Sequence, residues 1–162
     1  MGAEPDVVVA DLRESRDATD LVTLLDAYAR DLMGGGTPLS EDVKGRLAGD
    51  LAARPGCLVL LARLEGVAAG LAVCFEGYST FAAAPLLNLH DFAVLPCFRG
   101  RGVARALMRR IELEARLRGC CKITLEVLSN NHRARGIYAE AGFGAYELDP
   151  AAGQALFLQK KL

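Results

Sequence analysis

The residues that could do chemistry crowd into one stretch of the chain, 87–117. His90 and Asp91 are adjacent and titratable inside the apolar run Leu87-Asn88-Leu89-His90-Asp91-Phe92-Ala93-Val94. An imidazole can take up a proton near neutral pH, and a carboxylate beside it can orient a neighbour or a substrate. A basic turn follows, Leu95-Pro96-Cys97-Phe98-Arg99-Gly100-Arg101-Gly102, and a helical pattern starts near Val103. The first N–H groups of a helix have no intrahelical partner and sit at the positive end of its dipole, so an anion can bind there. Gly100 and Gly102 let a ligand approach the backbone, and Arg99, Arg101 and Arg105 add charge and forked donors. Taken alone, the turn reads first as a basic surface connection between a core strand and a helix. Two nucleotide motifs do not fit it. A dinucleotide fingerprint needs a third glycine where Arg105 stands, and a phosphate loop needs a Gly-Lys-Ser/Thr run that is absent.

The elements around this stretch must hold it in place. Residues 87–94 read as a strand. Val103, Leu107, Ile111 and Ala115 recur four apart on the helix after the turn, which Gly119 ends. Residues 122–127 alternate polar and apolar, a strand with one buried face. Strand, helix and strand at this spacing predict a parallel pair with a right-handed crossover. Side chains alternate along a strand, so Asn88, His90 and Phe92 are expected on one face and Asp91 on the other. Upstream, a strand is expected within residues 6–12. A helix follows with Asp17 as N-cap and Leu21, Leu25, Tyr28 and Leu32 on its buried face. Ser40 can cap a second helix carrying Val43, Leu47 and Leu51. Residues 57–64 and 67–75 form a hairpin around Glu65-Gly66, and 76–85 reads as a loop. Downstream come a short helix over 131–141, closed by Gly142, and a last hairpin from 143–148 and 155–160.

The chain has 162 residues, 52% hydrophobic and 24% charged, which suits one domain over 1–162 with one sizeable core. Net charge is −1, so no global field draws the protein to nucleic acid or a membrane. Residues 1–15 lack the charge and hydropathy pattern of a secretory signal, and no apolar run could span a bilayer. The expectation is a cytoplasmic protein with no nucleic-acid or membrane partner. The five cysteines show no metal-binding spacing, most of them read as small buried hydrophobes, and no metal is expected.

Two blocks of residues carry a family resemblance. Arg99-Gly100-Arg101-Gly102-Val103-Ala104 fits Arg/Gln-x-x-Gly-x-Gly/Ala, placed after a strand ending in Val-x-Pro. Asn131-His132-Arg133-Ala134-Arg135-Gly136-Ile137-Tyr138-Ala139-Glu140-Ala141-Gly142-Phe143 fits Asn-x-x-Ala-x-x-hydrophobic-Tyr-x-x-x-Gly-Phe. In this order and spacing they resemble the GCN5-related N-acetyltransferase (GNAT) superfamily, over nearly the whole chain. The resemblance implies an α/β fold, with a mixed α+β sheet of six to seven strands and about four helices. It also implies two parallel strands that splay apart at the acetyl-CoA site, and often a homodimer.

The same resemblance implies roles. The backbone of Phe92, Ala93 and Val94 would bind pantetheine, with the Phe92 N–H stabilising the oxyanion. The N–H groups of Arg99, Gly100, Arg101, Gly102, Val103, Ala104 and Arg105 would hold the pyrophosphate, and Asn131 would contact CoA unless it serves only as a helix cap. Tyr138 would protonate the leaving thiolate or hydrogen-bond its sulfur. His90 by residue type alone is a packing or hydrogen-bonding side chain. It matches the catalytic histidine of serotonin N-acetyltransferase and a glutamate of the polyamine acetyltransferases, which makes it the candidate base. Asp91 would orient it or the substrate. A small-molecule amine such as a polyamine, a diamine or an amino-acid side chain is the implied acceptor. A protein N-terminus or lysine, or a non-catalytic acetyl-CoA-binding module, is the alternative.

Overall fold

A computed structural model describes residues 3–146 and 149–162. They fall into two compact units, one reaching to Leu125 and the other beginning at Glu126. The first unit carries a five-stranded mixed sheet. Its strands are β1 (Asp6–Val9), β2 (Cys57–Leu64), β3 (Val67–Ser79), β4 (Ala84–Val94) and β5 (Ile123–Leu125), side by side in that order. The first four run antiparallel to their neighbours, and β5 joins β4 in parallel.

Period-two alternation divides the sheet's side chains between two helical layers. On one face Val59, Leu61, Leu71 and Val73 pack with Leu21 and Leu24 of α1 (Ser15–Arg30) and Leu51 of α2 (Glu41–Ala53). The other face holds buried Leu58, Leu60, Ala72 and Cys74. Helix α3 (Val103–Leu117) packs on β2, β3 and β4 and buries Val103, Leu107, Ile111 and Ala115, the stripe its spacing indicates. Gly70 of β3 makes this closeness possible. A Cβ there would stand 2.7 Å from the Ala93 carbonyl oxygen and 3.1 Å from Val103 Cγ1. Glycine is therefore needed here for the approach of β4 and α3, not for an unusual φ.

Several local expectations need correction. Helix α1 begins at Ser15, and Asp17 is not its cap: the Asp17 carboxylate accepts from the Asp11 N–H at 2.8 Å and from Arg63 Nη2 at 2.6 Å. Leu32 lies in a 3-10 turn (Leu32–Gly34) and is exposed. The segment 76–85 is mostly strand, because β3 and β4 pair from Ser79↔Ala84 onward and leave only a tight turn. Ser40 does cap α2, accepting from the Val43 N–H at 3.3 Å.

The sheet has five strands among the described residues, not six or seven. No strand forms among the described residues of 143–148 and 155–160; positions 147 and 148 lie outside the described residues. A 3-10 helix, Pro150–Ala152, capped by Asp149, takes the place of the hairpin turn. Leu156, Phe157 and Leu158 remain exposed. The second unit contains α4 (His132–Glu140).

Arg63 of β2 bridges to α1, with Nη2 2.6 Å from both Asp17 Oδ1 and Asp20 Oδ2. Burial pushes the Asp17 carboxyl up, but hydrogen bonds from Arg63 and the Asp11 N–H, with the Arg63 charge, outweigh it and hold Asp17 below its ordinary value. A carboxylate with a depressed folded pKa contributes stability that is present above its unfolded pKa and lost as pH falls through the folded one. Urea stability should therefore hold from neutrality to about pH 5 and decline below about pH 4. The decline should be shallower in Asp17→Asn, and equal acid slopes for the two proteins would show that the triad contributes nothing.

Candidate active site

The ladder between β4 and β5 is short. It pairs Leu87 with Ile123, Asn88 with Thr124 and Leu89 with Leu125, and there it ends. The Leu87 N–H donates to the Lys122 carbonyl at 3.1 Å, so Leu87 and Leu89 turn their backbone groups toward β5. Beyond Leu89, β4 continues to Val94 and, among the described residues, pairs there with β3 alone. The ladder therefore stops one residue short of His90.

A bulge sits at the opening. Leu89 pairs with Cys74, yet Asp91 pairs with Val73, so one extra β4 residue is accommodated at His90. The bulge shifts the backbone by one position. After it, Asp91, Ala93 and Leu95 face β3, as the Leu95 N–H donating to the Ala69 carbonyl at 2.9 Å confirms. Phe92 and Val94 therefore turn their N–H and C=O groups to the side that β5 has left.

The bulge also overturns the expected alternation. His90 does not share a face with Phe92. Its ring meets Phe75 edge-on, centroids 5.3 Å apart, and Asp91 pairs with Val73, whose side chain packs in the layer with α1. His90 and Asp91 thus lie together on the α1 side, and Phe92, opposite Ala72, lies on the α3 side. His90 is exposed, while Asp91 is half-buried. Burial pushes the Asp91 carboxyl above the usual carboxylate range, and the charge of His90 pulls against it. Tyr28 of α1 faces the same region. Its phenol is pushed up by burial and further by the charges of Asp91 and Asp31.

The basic turn follows β4 through a 3-10 helix, Pro96–Phe98. Gly100 and Gly102 have φ of 76° and 82°, left-handed values that disfavour any side chain. A Cβ at either would meet nothing within 4 Å, so the need there is conformational. They bring the chain round to the N-terminus of α3, whose N-cap residue, Gly102, has no side chain to cap it. Arg101 lies 5.7 Å over the Phe98 ring and 3.8 Å from Glu65, and Arg105 is exposed on the first turn of α3. Arg99 turns back instead. Its Nε donates to the Val94 carbonyl at 3.1 Å, and Nη2 lies 3.5 Å from Asp31. Its backbone stays in the turn, but its guanidinium is directed at the strand and at the segment after α1.

In the second unit, Asn131 is the N-cap of α4, accepting from the Ala134 N–H at 3.2 Å. Tyr138 is buried, its ring 6.0 Å from that of Phe143, whose N–H donates to the Tyr138 carbonyl at 3.0 Å. The first unit thus brings together His90, Asp91, the 92–94 edge and the 99–105 turn, and the second holds Asn131 and Tyr138. Tyr28 and Asp31 were not singled out by the sequence for the site. Nothing local in the sequence marks either residue.

A strand edge that turns peptide groups away from β3 can receive an amide chain, and a glycine turn leading to a helix N-terminus can receive a pyrophosphate. The chain belongs to the acetyltransferase (GNAT) family, whose sequence model matches residues 19–143. It is an acetyl-CoA-dependent N-acetyltransferase, with acetyl-CoA as cosubstrate. Solved structures share the fold. A ribosomal-protein-alanine N-acetyltransferase from Brucella melitensis biovar Abortus 2308 superposes with TM-score 0.74 at 21% identity, over 90% of this chain and 96% of that one. The aminoglycoside N-acetyltransferase AAC(6')-Iy, in complex with CoA, gives 0.75 at 21% identity, over 100% and 98%. The aminoglycoside acetyltransferase meta-AAC0020, from an uncultured soil metagenomic sample and in complex with sisomicin, gives 0.78 at 14%, over 98% and 96%. Among the described residues, no helix is long and apolar enough to cross a membrane.

Proposed function

We propose that this N-acetyltransferase acts on a small molecule carrying several amines, such as a polyamine, a diamine or an aminoglycoside-like compound. The observation that carries the reading is the bulge of β4. It sets His90 and Asp91 together on the α1 side of the sheet and turns the backbone of Phe92 and Val94 to the splayed edge.

In this reading the 92–94 edge pairs with pantetheine as a strand would, and the Phe92 N–H stabilises the negative charge that develops on the thioester oxygen. The turn from Arg99 to Arg105 holds the pyrophosphate. An acceptor amine has an ordinary pKa near ~10 and must lose a proton to attack. Exposed His90 takes that proton, directly or through a water. The C–N bond forms first and leaves the negative charge on the carbonyl oxygen; as that carbonyl re-forms the C–S bond breaks, and Tyr138 gives the thiolate its proton. The assignment of Tyr138 rests on its place in the 131–143 motif. Asp91 orients the substrate: a half-buried carboxylate beside the base favours a cationic acceptor, and Asp31 adds negative charge nearby. Structural neighbours that acetylate aminoglycosides support an acceptor of this chemistry. The family resemblance carries a homodimer with it, for which a dimer's mass by light scattering is the expected result.

The test is release of CoA thiol from acetyl-CoA in the presence of polyamines, diamines, aminoglycosides, amino acids and short peptides. Release with a polyamine, diamine or aminoglycoside is expected. Release only with peptides, at an N-terminus or lysine, would overturn the small-molecule acceptor.

A further inference from the structure

The tip of the β2–β3 hairpin holds a residue type that its backbone does not favour. Leu64 pairs with Val67, so Glu65 and Gly66 alone make the turn, with φ of 54° and 79°. Such a turn suits Asn-Gly or Gly-Gly, because the left-handed region crowds a Cβ. Among the described residues, only Glu65 and Ala83 take a positive φ without being glycine. A backbone outlier of this kind points to a use for its side chain.

The Glu65 carboxylate faces the basic turn. Its Oε2 lies 3.8 Å from Arg101 Nη2, and that guanidinium stands 5.7 Å over the Phe98 ring. The hairpin tip is itself tethered, since Arg16 Nη2 of α1 donates to the Gly66 carbonyl at 2.7 Å. A carboxylate is thereby held beside the glycine turn, on the arginine that stands between Gly100 and Gly102. An asparagine would relieve the backbone, but its side chain is shorter and carries no charge.

We propose that Glu65 is a positioning residue that competes with the cofactor for Arg101 and so sets how tightly the turn binds it. Before the cofactor arrives, Glu65 and Phe98 hold the Arg101 guanidinium toward the hairpin. A pyrophosphate at the turn offers it a stronger, forked set of acceptors and draws it over. The exchange weakens acetyl-CoA and CoA alike, because both carry the pyrophosphate, and so limits inhibition by the product. Both side chains are exposed, so the size of the effect is that of a surface ion pair.

This inference rests on the reading of the 99–105 turn as the pyrophosphate site, and calorimetric titration of the full chain with CoA separates the two. Glu65→Gln should tighten CoA binding about two- to fivefold at low salt. The gain should fade near ~1 M salt, where exposed charges are screened. Arg101→Gln should bind CoA more weakly, and adding Glu65→Gln to it should recover little of that gain. Glu65→Asn should also tighten CoA and should melt no lower than the wild type, since asparagine tolerates the left-handed turn. A strap that served the fold alone would do the reverse, with a lower melting temperature and no tighter binding. CoA affinity in Glu65→Gln equal to or below that of the wild type would overturn the competition. An undiminished gain with Arg101 replaced would remove Arg101 from it. Either result leaves the turn standing as the pyrophosphate site as long as Gly102→Val impairs CoA binding. Normal CoA binding by Gly102→Val would overturn the site itself, and the competition with it.

Discussion

Tyr138→Phe should lower turnover by about 10²-fold or more while acetyl-CoA binds as before. The expected factor lies at the modest end of the range for acid–base catalysis, because a thiol has an ordinary pKa near ~8.5 and its thiolate leaves readily. The substitution keeps the ring, which is buried and packs near Phe143, so α4 should retain its fold. Only the hydroxyl is lost. If the hydroxyl donates a proton late in the reaction, kcat falls and the KM for acetyl-CoA stays within about twofold, since the lost interaction belongs to the transition state. Steady-state kinetics with the acceptor found in the thiol-release panel, beside a thermal melt, read both quantities. Unchanged kcat in a folded variant would remove the proton-donor role from Tyr138.

Gly102→Val should act on the opposite parameter. At φ of 82° a β-branched residue is strained by roughly 1–3 kcal/mol. The open surroundings show that the side chain would meet no clash, so the cost is one of backbone alone. The chain can relieve it by moving the turn, which withdraws the N–H groups that lead into α3. The KM for acetyl-CoA should then rise about tenfold or more, as 1.4 kcal/mol corresponds to a factor of ten in binding. At saturating acetyl-CoA, kcat should change little, because His90 and Tyr138 lie outside the turn. Gly102→Ala, smaller but equally left-handed in its demand, should show a weaker form of the same effect. A normal KM in Gly102→Val would mean that the turn does not hold the cofactor.

The two variants probe residues that motif spacing alone identified. The sequence by itself determined the parts of this protein that depend on near neighbours. The helix after the turn was legible because Val103, Leu107, Ile111 and Ala115 recur at helical spacing, and all four are buried. The cap at Ser40 and the hairpin at Glu65-Gly66 were legible because each rests on a few adjacent residues. The parallel pairing of β4 with β5 followed from the length of the strand–helix–strand unit. The family was legible because two motifs stand in order at a fixed distance.

Only the tertiary structure decided how the site faces. The bulge at His90 depends on how β4 registers against β3, a partner distant in sequence, and no local alternation encodes it. That one inserted residue moved His90 and Asp91 to a shared face and sent Phe92 to the other. The guanidinium of Arg99 likewise found Val94 and Asp31 rather than the turn, since Asp31 comes near only once α1 has packed on the sheet. The last hairpin shows the same limit in reverse. Residues 155–160 have the composition of a strand, but a strand is completed by a partner's backbone, and among the described residues none pairs with them. Helices and turns are written locally because their hydrogen bonds close within a few residues, whereas sheet register and side-chain pairing are settled by contacts across the fold.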